Sequence, residues 1–144
     1  MTKQLNDHYE TAKRVVESYI EGFNNRDMQG MADAFNFPHV RLAKGNFVTI
    51  PDAQSLIASQ QKVTAMLRDE GWHHTTLETL EVVQAGPDKV HAALQFTRRK
   101  EDDSILHAFE TLWIVTRNAS DHWGIQFRSS YLLSDAATLG RTTP

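Results

Sequence analysis

Hydrophobic positions in the first part of the chain recur with the spacing of a helix. Over about residues 7–24, apolar side chains lie three and four positions apart, which predicts one buried stripe on an amphipathic helix. The stripe consists of Ala12, Val15, Val16, Tyr19, Ile20 and Phe23. Asp7, followed three residues later by Glu10, is typical of a capping box at a helix start.

The next segment is predicted to hold a short helix and two short strands. Asp27 can cap the helix, and Pro38 ends it because the residue before a proline avoids the α region. Extended segments follow at residues 39–43 and 47–50, on either side of a turn that contains Gly45. This part of the chain therefore predicts a small hairpin after the second helix.

The remainder of the pattern is one more helix and then strands only. A third helix is predicted over about residues 51–70, with Pro51 at its first position and Gly71 after its end. Long segments rich in β-branched and aromatic residues follow at 75–85, 89–100, 104–118 and 122–133. Short polar turns separate them, which predicts an antiparallel meander. Helices that precede an antiparallel sheet indicate a single α+β domain over residues 1–144, with a core at about 7–133 and a polar tail.

Composition excludes several classes of protein and of site. The 144 residues are 40% hydrophobic and 23% charged, as in a soluble globular domain. The formal net charge of -3 gives no basic surplus for nucleic acid or anionic membrane. The chain has no cysteine, and it shows no secretory signal or apolar span. We therefore expect a cytoplasmic protein without metal or cofactor.

Two motifs carry a resemblance to a known family. Residues 16–24, 26–31 and 34–35 contain Tyr19, Asn24, Asp27 and Phe35 at the spacing Y-x-x-x-x-N-x-x-D-x-x-x-x-x-x-x-F. Residues 122–125, His-Trp-Gly-Ile, are similar to a G-x-W-x-I strand start. The chain thus resembles the nuclear transport factor 2-like superfamily, which includes ketosteroid isomerase and the SnoaL-like cyclases. The resemblance implies a cystatin-like roll, a cone-shaped curved antiparallel sheet wrapped around three helices.

The resemblance also allows a comparison of catalytic positions. In ketosteroid isomerase-like sites a tyrosine on the first helix works with a carboxylate base and a second acid. Tyr19 lies at the tyrosine position, but Ala43 lies where the base would be. The position of the second acid falls near Leu112, with Glu110 two residues away. Steroid-type isomerisation is therefore not expected.

Alternation along the strands then predicts which side chains face a pocket. The resemblance implies that three sets point inward: His39, Arg41 and Ala43; Ala108, Glu110, Leu112 and Ile114; and Gln126, Arg128, Ser130 and Leu132. The outward set would be Phe109, Thr111, Trp113, Val115, Trp123, Ile125, Phe127 and Tyr131. So much apolar surface predicts a homodimer through the outer sheet face. A slip of one residue would reverse both sets and would leave Arg128 outside.

The candidate site residues follow from these faces. Glu110 and Arg128 would share the pocket, either as a structural ion pair or as a proton carrier beside an anion clamp. Tyr19 and His39 are the other candidate catalytic residues, although Tyr19 also suits a core aromatic and His39 a solvent-facing strand position. The candidate substrate-binding residues are Arg128, Arg41, Gln126, His74 and Trp72. Arg98 continues the inward face of its strand and is a further candidate.

No motif in the sequence fixes a reaction. The residues favour a protein with a pocket for a small molecule, an anion being the class that the arginines favour. One hypothesis is a cofactor-independent isomerase, cyclase or lyase that uses acid–base chemistry. The alternative is a non-catalytic ligand-binding or dimeric assembly module, which the alanine at position 43 favours. Whether the protein is an enzyme stays open at this point.

Overall fold

The computed structural model describes residues 3–132, and the side chains from residue 6 onward. Its elements are α1 Lys3–Asn24, α2 Met28–Ala32, β1 Phe35–Ala43, β2 Asn46–Ile50, α3 Ala53–Asp69, β3 His74–Gly86, β4 Lys89–Arg99, β5 Ile105–Arg117 and β6 Trp123–Tyr131. This order of elements is the one that the sequence predicts. The predicted polar tail lies outside the described residues.

All six strands belong to one sheet, in the order β2-β1-β6-β5-β4-β3. Neighbouring strands are antiparallel, except that β1 pairs with β6 in parallel. The sheet is curved and open, and the hydrophobic core lies between it and the helices. The predicted α+β fold, a curved sheet wrapped around three helices, is confirmed.

The helices begin at positions that differ slightly from the prediction. α1 begins at Lys3, ahead of the expected cap at Asp7, because the preceding Lys, Gln and Leu residues favour helix. α3 begins at Ala53 rather than Pro51, since the Asp52 carboxylate accepts a hydrogen bond from the Ser55 backbone N–H at 2.9 Å. The predicted stripe of α1 does form the core contact, with Ala12, Val16 and Phe23 among its buried members.

Pro38 lies inside a strand and does not end the second helix. α2 already ends at Ala32, and β1 begins at Phe35. The pairing of β1 with β6 is irregular between Phe35 and Val40. A proline has no N–H to donate to a ladder, so it is accommodated where the pairing is interrupted.

The predicted faces of β5 are wrong. Thr111, Trp113 and Val115 are buried on the helix side, and Trp113 contacts Tyr19 of α1 with ring centroids 5.1 Å apart. The alternate residues, Glu110, Leu112 and Ile114, therefore lie on the outer face. Both faces of β5 carry apolar side chains, and the larger aromatic side chains bury more area against the helices.

The predicted faces of β6 are right for Arg128 and Ser130, because a bulge precedes them. Phe127 pairs with Ile114 and Ile125 pairs with Val115, so Gln126 has no partner on β5. This extra residue allows Ile125 and Arg128 to face the core side together, although three positions separate them. Trp113 of β5 and Arg128 of β6 are direct partners in the ladder and thus share one face.

Candidate functional site

Two adjoining chambers lie between the helices and the concave face of the sheet. The outer chamber has a volume of about 210 Å³, and its walls include Val48, Val63 and Met66. The inner chamber measures about 30 Å³ and lies against Tyr19, Gln60 and Trp113. Arg41, Val63 and Arg98 line both chambers and therefore mark the junction between them.

Three arginines from three strands point into these chambers. Arg41 of β1 is the direct ladder partner of Arg128 of β6, so both side chains leave the sheet on the same face. Arg98 of β4 reaches the chambers from the other side, and its guanidinium lies 4.7 Å from the centre of the Phe109 ring. Among residues 3–132, none of the three guanidinium groups forms an ion pair with a carboxylate.

Arg128 is held rigidly at the back of the inner chamber. Its Nε donates a hydrogen bond to His39 Nε2 at 3.0 Å, and its guanidinium lies over the Phe35 ring at 5.0 Å. The residue is only 5% exposed. Its Nη2 atom is buried and has no hydrogen-bond partner in the described part of the chain. An N–H group in this state is available to a ligand that enters the chamber.

His39 supports Arg128 and lines neither chamber. The imidazole is 0% exposed, and its Nδ1 donates to the Ile125 carbonyl at 3.3 Å, which leaves Nε2 as the acceptor for Arg128. Burial, followed by the nearby Arg128 cation, lowers the pKa of His39 to about 2. The imidazole is therefore neutral at physiological pH. Its predicted inward orientation is found, but a catalytic role is not, because the ring is out of reach of a substrate.

Electrostatics make the chambers strongly attractive to an anion. Burial lowers the pKa of Arg128 to about 10, so its guanidinium stays charged near neutral pH. Burial also lowers the pKa of Arg41 and of Arg98. Repulsion from Arg41 contributes to the lowered pKa of both other arginines. Clustered cations that outnumber their counter-charges are costly in a low-dielectric site, and a bound anion lowers that cost.

Tyr19 and Gln60 complete the inner chamber. The Tyr19 ring packs against Phe23 and Trp113, and the Tyr19 side chain partly offsets the burial that lowers the pKa of Arg128. Tyr19 thus packs in the core and also lines the inner chamber, and its catalytic role stays a prediction. The Gln60 Oε1 atom is buried without a partner among the described residues, as is Arg41 Nε. The inner chamber accordingly has several polar atoms that a ligand can satisfy.

The outer chamber is more apolar, with one titratable pair on its wall. Leu67 and Leu132 join the apolar residues already named. His107 of β5 and Glu70, at the end of α3, form a contact of 2.7 Å between Nε2 and Oε1. Ala43 also lines the outer chamber. The position at which the family resemblance implies a catalytic base therefore carries only a methyl group.

Four predicted site residues lie elsewhere. Glu110 is on the outer sheet face, opposite the buried side chain of the adjacent Thr111, and therefore does not share the pocket with Arg128. Gln126 donates to the Pro38 carbonyl and accepts from Thr116, also away from the chambers.

Trp72 and His74 lie beyond the chambers as well. Trp72 is a core residue whose Nε1 donates to Thr75 Oγ1 at 2.9 Å. His74 lies 2.9 Å from Asp103 at the start of β3, in an exposed pair. Both residues follow α3 closely in sequence, but the turn after Gly71 directs them to the core and to the surface instead.

The sequence reading missed the Glu70–His107 pair and Gln60. The predicted phase of β5 places Phe109 and Trp113 on the outer face, and His107, which alternates in step with them, is therefore not a candidate at the sequence level. Gln60 lies on the buried side of α3. A polar residue within the apolar stripe of a helix is unusual, so its position in the sequence could have indicated a pocket.

Two kinds of feature are missing from residues 3–132. No helix there combines the length and the apolar character that crossing a membrane requires. No group of three or more acidic or histidine side chains in this range is placed to hold a metal ion. The cytoplasmic location and the lack of a cofactor stay predictions.

Comparison with known proteins agrees with this fold. The family description NTF2-like protein (DUF6841) matches residues 9–130. The chain belongs to this NTF2-like family. No match is found among curated proteins.

Solved structures show the same NTF2-like fold at low sequence identity. An NTF2-like protein with a cystatin-like fold from Novosphingobium aromaticivorans has a TM-score of 0.73 and 15% sequence identity. The match covers 94% of this chain and 88% of the other chain. A ketosteroid isomerase-like protein from Erwinia carotovora atroseptica has a TM-score of 0.63 and 16% identity, with coverages of 87% and 95%.

A third structure of similar fold comes from Catenulispora acidiphila and was solved in complex with S-DNPA. Its TM-score is 0.65 at 10% identity, and the match covers 85% of this chain and 90% of the other. At these identities the likeness extends to the fold alone, so the chemistry of the site has to come from the residues of this NTF2-like chain.

Proposed function

We propose that the protein binds a small organic carboxylate, with the carboxylate in the inner chamber and an apolar body in the outer chamber. The observation that carries this proposal is the cluster of three inward arginines that have no carboxylate partner within residues 3–132. A guanidinium can hold a carboxylate through two parallel hydrogen bonds. Arg128 Nη2 and Arg41 Nε are the buried arginine donors without a partner in the described part of the chain.

The sizes of the two chambers favour this orientation. A volume of about 30 Å³ offers the inner chamber room for a few ligand atoms, on the order of one or two water molecules. A planar carboxylate suits that space better than a bulky phosphoryl group. The outer chamber, at about 210 Å³, accepts a ring or a branched chain against Val63 and Met66.

The neighbours support a ligand-binding function in general terms. One is described as ketosteroid isomerase-like, and another was solved in complex with S-DNPA. Ala43 at the position of the expected base is an argument against the steroid reaction itself. A polar cluster that is costly to bury is also an argument against a filled, purely structural pocket.

A paired thermal-shift and calorimetric titration tests the proposal. The probes are 3-phenylpropionate and its uncharged amide, which differ only in the group meant for the arginines. At a hundredfold excess over Kd, the carboxylate should stabilise the protein by about 2.7 kcal/mol, whereas the amide should not. Arg128→Met should abolish the effect, and Arg14→Met, an exposed arginine on α1, should leave it unchanged.

Two results would overturn the proposal. One is equal stabilisation by the acid and the amide, because the arginines would then contribute nothing to recognition. The other is a carboxylate effect that persists in Arg128→Met. A wider set of aliphatic and aromatic acids, each with its amide, guards against a poor choice of apolar body.

A further inference from the structure

We propose that His107 and Glu70 form an acid–base pair that moves a proton on the bound acid, which makes the protein an enzyme for 2-oxo carboxylic acids with an acidic C3–H. This inference rests on the proposed carboxylate site. It adds a reaction to that site and names a substrate class.

The first step is the position of His107. His107 of β5 and Arg98 of β4 are direct partners in the antiparallel ladder, so their side chains leave the sheet side by side on the inner face. Both line the outer chamber, and Arg98 also lines the inner one. A ligand whose carboxylate lies in the inner chamber therefore extends past Arg98 toward His107.

The second step is the orientation of the imidazole. Glu70 Oε1 lies 2.7 Å from His107 Nε2, and an ionised carboxylate can only accept a hydrogen bond. In the neutral imidazole, Nε2 therefore carries the hydrogen and Nδ1 carries the lone pair. Nδ1 has no hydrogen-bond partner among the described residues. A base oriented by a carboxylate in this way is the arrangement that general-base catalysis requires.

The third step is the chemistry that these groups allow. His107 Nδ1 takes a proton from C3 of the 2-oxo acid: the C3–H bond breaks, an N–H bond forms, and the electron pair moves through C2 to the carbonyl oxygen. Arg98 lies where it can stabilise the resulting enolate oxygen. The imidazolium, stabilised by Glu70, then returns the proton to C3 or gives it to the oxygen, which yields the enol. No oxidant, reductant or cofactor is needed for this balance.

The other charged groups on this chamber do not replace His107. Arg41 and Arg98 are cationic and serve as anion partners, and Lys44 also lines the wall. Glu70 lines the outer chamber and is the one carboxylate among the described lining residues of the two chambers, and its contact with His107 assigns it a positioning role. Ala43 supplies no titratable group.

Hydrogen–deuterium exchange at C3 of phenylpyruvate tests the inference. In D₂O the wild-type protein should accelerate the loss of the C3 proton signal over the buffer rate, as followed by NMR. His107→Gln should reduce the catalysed rate by about 100-fold or more, with the Kd for phenylpyruvate within about twofold of wild type. Glu70→Gln should lower kcat with KM unchanged, and Glu70→Asp should restore part of the loss. Circular dichroism establishes that each variant is folded.

The outcomes separate this inference from the site on which it rests. Binding of phenylpyruvate with exchange at the buffer rate would overturn the inference and leave the carboxylate site intact. Catalysed exchange that survives both His107→Gln and Glu70→Gln would overturn it as well. If neither phenylpyruvate nor 3-phenylpropionate binds, the carboxylate site fails, and the proton transfer fails with it.

Discussion

At the scale of single residues, the site depends on a buried chain of contacts behind Arg128. The neutral His39 ring connects the Ile125 carbonyl to Arg128 Nε, and it thereby fixes the direction of the guanidinium. His39 has no contact with either chamber. Its role can therefore be separated experimentally from catalysis and from ligand contact.

His39 should make the protein less stable in mild acid. The folded pKa is about 2, below the ordinary value of 6.5, so below about pH 6.5 the unfolded chain binds a proton that the folded chain does not. Stability contributed by this group is thus lost as the pH falls. Between about pH 6 and pH 5 the loss from His39 alone should be about 1 kcal/mol. The control is His39→Gln, whose amide oxygen can still accept a hydrogen bond from Arg128. Urea unfolding at both pH values should show that the free energy of unfolding falls by about 1 kcal/mol less in this variant than in the wild type. Equal acid sensitivity in the two proteins would contradict the neutral assignment.

Arg41 should lower stability in the absence of ligand. Its Nε is buried without a partner in the described structure, and it repels Arg128. Replacing this half-buried guanidinium, which has no ion pair among residues 3–132, by an apolar side chain of similar length should raise the free energy of unfolding of Arg41→Met by roughly 1–4 kcal/mol. Arg14→Met, on the exposed face of α1, should change it by less than about 0.5 kcal/mol. A destabilised Arg41→Met protein would mean that the guanidinium already has a stabilising partner.

At the scale of elements, the faces of β5 and β6 decide what the pocket contains. β5 turns Trp113 and His107 inward and Glu110 outward. The bulge at Gln126 brings Arg128 back to the inner face. Without that extra residue the arginine would lie outside, opposite an apolar inner surface. The cationic pocket is thus a consequence of one irregular pairing.

The pairing of β1 with β6 should be sensitive to a single methyl group. A Cβ atom at Gly124 would lie 2.6 Å from the Phe35 carbonyl carbon, which is backbone and cannot move aside cheaply. We expect Gly124→Ala to destabilise the protein by roughly 1–3 kcal/mol. Gly86→Ala is the matched control, since nothing lies within 4 Å of its added Cβ. Urea unfolding measures both, and similar values for the two variants would contradict the close approach of the strands.

The sequence predicted more of the fold than of the site. The order of the elements and the inward faces of Arg41, Arg98 and Arg128 followed from periodicity and from the family resemblance. The faces of β5 did not, because Leu112 and Ile114 on one side and Trp113 on the other satisfy alternation equally well. The Glu70–His107 pair joins residues 37 positions apart, and only the folded chain brings them together.

At the scale of the whole molecule, net charge conceals the character of the pocket. The chain carries -3 overall, yet the described chamber walls hold Arg41, Lys44, Arg98 and Arg128 against Glu70. The homodimer stays a prediction, but part of the apolar surface on which the sequence argument depends is not on the outer face. Trp113 and Ile125, which the sequence assigned to an outer interface, belong to the core. An outer-face contact would now have to use half-buried residues such as Ile114 and Phe127.

A crystal structure of the protein with 3-phenylpropionate tests the central claim most directly. The account predicts a carboxylate in the inner chamber, with oxygens about 2.7–3.2 Å from Arg128 Nη2 and Arg41 Nε. The phenyl ring should lie in the outer chamber against Val63 and Met66. A carboxylate that points to solvent, with the ring against the arginines or with the inner chamber filled by water alone, would contradict the account.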